Sequence, residues 1–116
     1  MNKALHVDAA TLSMLQDVLE DGFANLLETF LQDSSAKLQG LREALAAEDA
    51  DGLRRNAHSL KGSSSNLGAL QLADLSREVE QLAREGQIDG IGELLAQLDT
   101  EYQAVAAVMQ ERLAQL

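Results

Sequence analysis

From Asp8 onward, apolar residues return at spacings of three and four, the signature of helices that bury one side, and breaks in this recurrence divide the chain into five segments. Asp8 reads as an N-cap with Val7 before it and Leu12 four positions after it, a pair able to form a hydrophobic staple. Leu12, Leu15 and Leu19 continue a short first helix over 8–20. Phe23, Leu27, Phe30, Ser34, Leu38, Leu41 and Leu45 predict a long second helix over 21–48, which Gly40 weakens without breaking. The run EDADG at 48–52 ends it, and either Asp49 or Asp51 can cap a third helix over 50–67. Gly68 can take a positive φ and close that helix. Leu72, Leu75, Val79 and Leu82 then mark a fourth over 69–86. After the glycine-rich turn at 86–92, Leu95, Leu98, Tyr102, Val105, Met109, Leu113 and Leu116 predict a last long helix over 90–116.

Amphipathic helices joined by short connections bury their stripes most simply as an antiparallel up-and-down bundle. The expected fold is therefore all-α: a four-helix bundle of the last four helices, with the short N-terminal helix covering one end. At 116 residues, without repeat or linker, the chain fits one domain over 1–116. Composition agrees with helix packing. Hydrophobic residues make up 46% of the chain and aromatics only 3%, so the core is built of Leu, Ala, Val and Ile, and no proline interrupts any segment. Met109 and the apolar stripes fall at helical spacing and are assigned to the core, so no cofactor is expected.

Several function classes drop out. There is no cysteine, hence no disulfide or thiolate site, and two histidines cannot build a multi-histidine metal cluster. No run approaches a membrane span, and MNKALHVDAATL lacks the apolar core of a signal peptide, so a cytoplasmic protein is expected. A net charge of −10 repels both nucleic acid and anionic membrane, and neither is expected as a partner.

Against that acidity one short stretch is basic. On the third helix Leu53, Ala57, Leu60, Ser64 and Leu67 cluster on one side, and His58 points about 140° away from them, toward solvent. Arg54, Arg55 and Lys61 lie at i−4, i−3 and i+3 from it, and no acidic residue occurs from Gly52 to Ala73. Gly62, one turn on at i+4, leaves a side-chain-free patch of helix beside the ring at a cost of roughly 1 kcal/mol relative to alanine. A solvated basic face and an idle surface histidine are the plain readings. The chemical one is a phosphoryl acceptor: an imidazole attacks only when neutral, which nearby cations favour, and Lys61 is suited to neutralising the phosphoryl oxygens. His6, without such surroundings, reads as an incidental terminal residue.

The segment A-H-S-L-K-G-S-S-S-N-L-G-A, from Ala57 to Ala69, closely resembles the signature of histidine-containing phosphotransfer (HPt) domains, and the resemblance extends as a bundle over nearly the whole chain, closest to stand-alone members of the family. It implies that His58 is phosphorylated on its outward nitrogen, that Lys61 steadies the phosphoryl oxygens and that Gly62 leaves room for the partner. It further implies that an acidic or amide side chain on the next helix holds the other ring nitrogen. Counting through the motif puts that role on Glu80, with Glu78 and Gln81 as alternatives. Arg54, Arg55 and Ser65 are the candidates for contact with the partner; Ser64 is assigned to packing, while Ser65 keeps both a packing and a phosphoryl-contacting reading. The implied partners are receiver domains of hybrid sensor kinases and of a response regulator, with Mg²⁺ held by the receiver and none in this chain, and the implied state is a monomer.

Three other readings stand beside this one. A helical docking adaptor would hold a partner without transfer. An enzyme using His58 as a general base would need a pocket and an orienting group. A dimeric histidine-kinase core also exposes a histidine on a bundle, but the LKGSS run after His58 favours the monomeric class. Without a glycine-rich nucleotide loop, the chain is expected to carry phosphate rather than to take it from ATP.

Overall fold

The computed structural model describes residues 6–116, and the described residues form helices α1 (Ala9–Leu19), α2 (Gly22–Ala46), α3 (Ala50–Asn66), α4 (Leu70–Arg84) and α5 (Ile91–Ala114). α3 packs between α2 and α4, and α5 closes the ring against α2 and α4, giving an up-and-down four-helix bundle. The molecule measures 42 × 27 × 18 Å, its long axis set by α2 and α5. Its core draws on the stripes read from the sequence: Phe23, Leu27, Leu41, Leu53, Leu60, Leu72, Leu98 and Met109 are all fully buried, whereas Leu19 and Leu116, counted in those stripes, are exposed near helix ends.

The helix ends follow from local chemistry. α2, α3 and α4 stop in the same double hydrogen-bond motif, in which the residue after the cap turns left-handed and the next N–H reaches back to a carbonyl five residues earlier. At α3 this is Ala69 N–H to Ser64 O (2.9 Å) with Gly68 at φ +79°, and at α4 Gln87 N–H to Leu82 O (2.8 Å) with Gly86 at φ +74°. At α2 the same role falls on Glu48, at φ +54°, which is why the helix ends at Ala46 rather than running to 48. Asp49 then caps α3 by accepting from Gly52 N–H at 3.0 Å, which resolves the choice between the two aspartates and leaves Asp51 for another task.

Two glycines permit close approach. A Cβ on Gly40 would sit 2.7 Å from Asn56 Oδ1, so this residue, costly within α2, lets α2 and α3 draw together. A Cβ on Gly68 would sit 3.0 Å from Thr11 Cβ, and the Gly68 carbonyl accepts from Asp8 N–H at 2.9 Å. The second glycine of the Ala57–Ala69 segment therefore both ends α3 and seats the start of α1 on the α3–α4 turn, with Val7 and Leu12 buried on either side of Asp8.

α4 departs from its expected stripe. Leu72 and Val79 are buried, but Leu75 and Leu82 are only half-buried, and Ala73, Ser76, Glu80 and Ala83 complete the inner face. Small residues lie where helices approach most closely, and periodicity counted on large apolar residues alone passes over them. This rotation carries Glu80 inward, beneath α3.

Candidate functional site

α3 presents its core side as read from the sequence, with Leu53, Ala57, Leu60 and Ser64 completely buried and Leu67 nearly so, and this turns His58 outward with its side chain 65% exposed. Glu80 rises from α4 beneath it. His58 Nδ1 lies 2.8 Å from Glu80 Oε2, Lys61 Nζ lies 2.8 Å from Oε1, and Arg84 Nη2 donates to Oε2 at 3.0 Å. The Glu80 side chain is only 4% exposed. Burial pushes its carboxyl up, but hydrogen bonds from Lys61 and His58, together with their charges, outweigh that and hold it below the ordinary value of 4.5. The group is therefore ionised at neutral pH.

An ionised carboxylate only accepts, so Nδ1 carries the ring proton and the Nε2 lone pair is left on the outer edge of the ring. The site thus holds a histidine in one tautomer, orientated from below, with its basic nitrogen toward solvent. Gly62 is exposed one turn on, and a Cβ there would meet nothing within 4 Å. No packing demand inside this chain requires that glycine. The Lys61 ammonium uses one donor on Glu80, and two others remain. Glu78 and Gln81, the alternatives to Glu80, are exposed; Gln81 bonds Glu85 instead.

The remaining candidates divide. Ser64 is fully buried, as packing requires, although its hydroxyl finds no acceptor; Ser63 donates to Leu60 O at 3.3 Å, and Ser65 is exposed. Arg54 and Arg55 do not stand free beside His58: Arg54 Nη2 reaches Asp51 Oδ1 and Arg55 Nε reaches Asp51 Oδ2, each at 2.9 Å. The hydrogen bond from Arg54, aided by the charge of Arg55, holds the Asp51 carboxyl below its ordinary 3.8. The acid-free stretch begins one residue too late to include this partner. The spacing was legible, since Asp51 lies at i−3 and i−4 from the two arginines, as was Arg84 at i+4 from Glu80.

His6 corrects its reading as incidental. Its Nδ1 lies 3.0 and 2.9 Å from the two carboxylate oxygens of Glu101, a buried residue of α5, so it fastens the chain ahead of α1 to the bundle. A contact across so much of the chain leaves no periodic trace. A groove of about 570 Å³ between α4 and α5, lined by Gln71, Asp74, Leu75, Ala96, Gln97, Thr100 and Glu101, contains none of the His58 cluster. The histidine stands on a surface, a geometry that suits docking of a second protein better than enclosure of a small substrate.

A family model described as the Hpt domain matches residues 25–108. Among solved structures, the crystal structure of histidine-containing phosphotransfer protein B (HptB) from Pseudomonas aeruginosa PAO1 is similar to this chain, at 40% identity over 96% of each chain and a TM-score of 0.93. No match was found among curated proteins.

Proposed function

The chain belongs to the Hpt domain family, and from that membership we propose that it is a phosphocarrier of a multistep relay, taking a phosphoryl group from a receiver-domain aspartate onto His58 and passing it to another receiver. The observation that carries this reading is the buried Glu80 carboxylate 2.8 Å beneath Nδ1 of an otherwise exposed imidazole.

The Nε2 lone pair attacks phosphorus of the receiver's aspartyl phosphate. A P–N bond forms as the P–O bond to the aspartate breaks, and the carboxylate leaves with that electron pair. The ring keeps its Nδ1 proton and gains positive charge, which Glu80 offsets. Lys61 directs its free donors to the phosphoryl oxygens, whose charge must be neutralised in a loose, in-line transfer. Transfer onward runs the same events in reverse against a second receiver. Gly62 admits the partner's backbone, while Arg54, Arg55 and Ser65 border the contact.

Mg²⁺ belongs to the receiver in this reading; among the described residues no group of three or more His, Asp or Glu could hold a metal ion. The donor is the receiver of a hybrid sensor kinase and the acceptor that of a response regulator. The protein acts as a cytoplasmic monomer with no ATP-dependent kinase activity of its own; among the described residues no helix is long and apolar enough to cross a membrane.

The test is reconstituted transfer. Receiver domains phosphorylated beforehand are mixed with wild-type protein and with His58→Ala, and acid-labile, alkali-stable phosphate is followed. Label on the wild type alone is expected. No label across a broad receiver panel, with binding retained, would turn the reading to a docking adaptor.

A further inference from the structure

The cations around His58 are already engaged inside the free protein. Arg54 and Arg55 rest on Asp51, and Lys61 and Arg84 rest on Glu80, so four cations share two carboxylates. The two carboxylates differ in kind. Glu80 is buried beneath the ring, whereas the Asp51 side chain is 63% exposed at the start of α3. Asp51, Arg54 and Arg84 also line one hollow, with Ala50 and Ala83, between the start of α3 and the end of α4. Arg54 and Arg84 thus meet at this hollow beside Asp51, with Arg55 joined to it through Asp51 and Lys61 through the Glu80 carboxylate that Arg84 shares.

Asp51 is not needed as the cap, because Asp49 performs that task. Its pairs with Arg54 and Arg55 are solvent-exposed, and ion pairs of that kind hold weakly and exchange readily. A partner that carries phosphate on an aspartate and binds a divalent cation must gather carboxylates around its own site. Such a surface complements two arginines in a chain whose net charge is −10.

We propose that Asp51 determines specificity at the docking surface: in the free protein it occupies the guanidiniums of Arg54 and Arg55, and a receiver docks by presenting carboxylates that displace it. The inference rests on the relay reading. Asp51 acts as an internal competitor, so that only a receiver with acidic groups placed to reach both arginines recovers what the displacement costs. Other acidic surfaces are turned away.

The experiment measures binding and transfer separately. Unphosphorylated receiver domains of hybrid kinases are titrated against full-length His58→Gln protein with and without Asp51→Asn, and transfer from acetyl-phosphate-loaded receivers is timed with His58 intact. Asp51→Asn is expected to tighten binding about threefold to tenfold at low salt and to admit receivers the wild type refuses. The gain is expected to vanish near 1 M salt, where the screening length is about 3 Å, and in an Arg54→Gln/Arg55→Gln background. Asp51→Glu, which keeps the charge, is expected to resemble the wild type. Circular dichroism and the thermal midpoint establish that each variant folds. Unchanged or weaker binding by folded Asp51→Asn overturns the role of Asp51, even where transfer to His58 proceeds normally. Tighter binding with no transfer to wild-type His58 overturns the relay reading and leaves the competitor in place. Absence of binding to every receiver, with or without Asp51→Asn, overturns both.

Discussion

Gly62→Ala separates two quantities that usually move together. Gly62 lies within α3 at an ordinary helical φ, and a Cβ there would meet nothing within 4 Å, so alanine brings no clash. It removes the helix penalty of glycine, about 0.8–1.0 kcal/mol, and the variant should be more stable by about 1 kcal/mol. With an unfolding entropy of about 2.1 cal/mol/K per residue, a chain of 116 residues gains roughly 4 °C in thermal midpoint. The same methyl stands one turn from His58, where the receiver's backbone would approach. If it is compressed against the partner as an extra methyl is in a packed core, about 1–3 kcal/mol is lost from the docked state, or roughly 5-fold to 150-fold in kcat/KM for transfer.

Thermal melts followed by circular dichroism, paired with single-turnover transfer from a phosphorylated receiver, measure both arms. Gly62→Gln should lose more transfer than alanine and gain less stability. A raised midpoint with unchanged transfer would refute the access role of Gly62, because the glycine would then cost stability without serving the partner. A lowered midpoint would refute the packing argument itself.

Gly68→Ala and Gly86→Ala form a matched pair, since both glycines end helices at positive φ but only Gly68 touches another element. Denaturant titration should show a loss of about 1 kcal/mol at Gly86 from backbone strain alone, and about 2 kcal/mol or more at Gly68, where Thr11 and Asp8 also crowd the new Cβ. Glu80→Gln tests the buried carboxylate through acid stability. The folded group titrates below its ordinary 4.5, so the unfolded chain binds more protons between the two values. The contribution is complete above pH 4.5 and is lost as pH falls through the folded value. The wild type should therefore weaken on acidification in that window, and Glu80→Gln should show a shallower slope when urea midpoints are compared from pH 6 downward. An unchanged slope would mean that Glu80 is not held ionised by its neighbours.

The fold and the candidate site were legible in the sequence to different degrees. Helix positions followed from spacing, because burial on one side of a helix repeats along the chain, and His58 was placed in solvent by angle alone once Leu53, Ala57 and Leu60 had fixed the core direction. The breaks at Gly68 and Gly86 followed from the conformation that ends a helix. The early stop of α2 did not, because nothing in a glutamate announces a left-handed turn at Glu48.

Arg54, Arg55 and Lys61 were visible as charges near His58, but their state was not. Their carboxylate partners come from Asp51, just outside the stretch that looked purely basic, and from Glu80 on another helix. Glu80 itself could be reached only through family likeness, with Glu78 and Gln81 beside it as alternatives. Its place beneath the ring depends on the rotation of α4, which brings Ser76 and Glu80 inward in place of Leu75 and Leu82. The pairing of His6 with Glu101 is of the same kind. Periodicity within a helix records which side meets the core, so the sequence determined the helices and the outward histidine. Which atoms meet across helices depends on their relative rotation and separation, and those were decided only when all the side chains packed together.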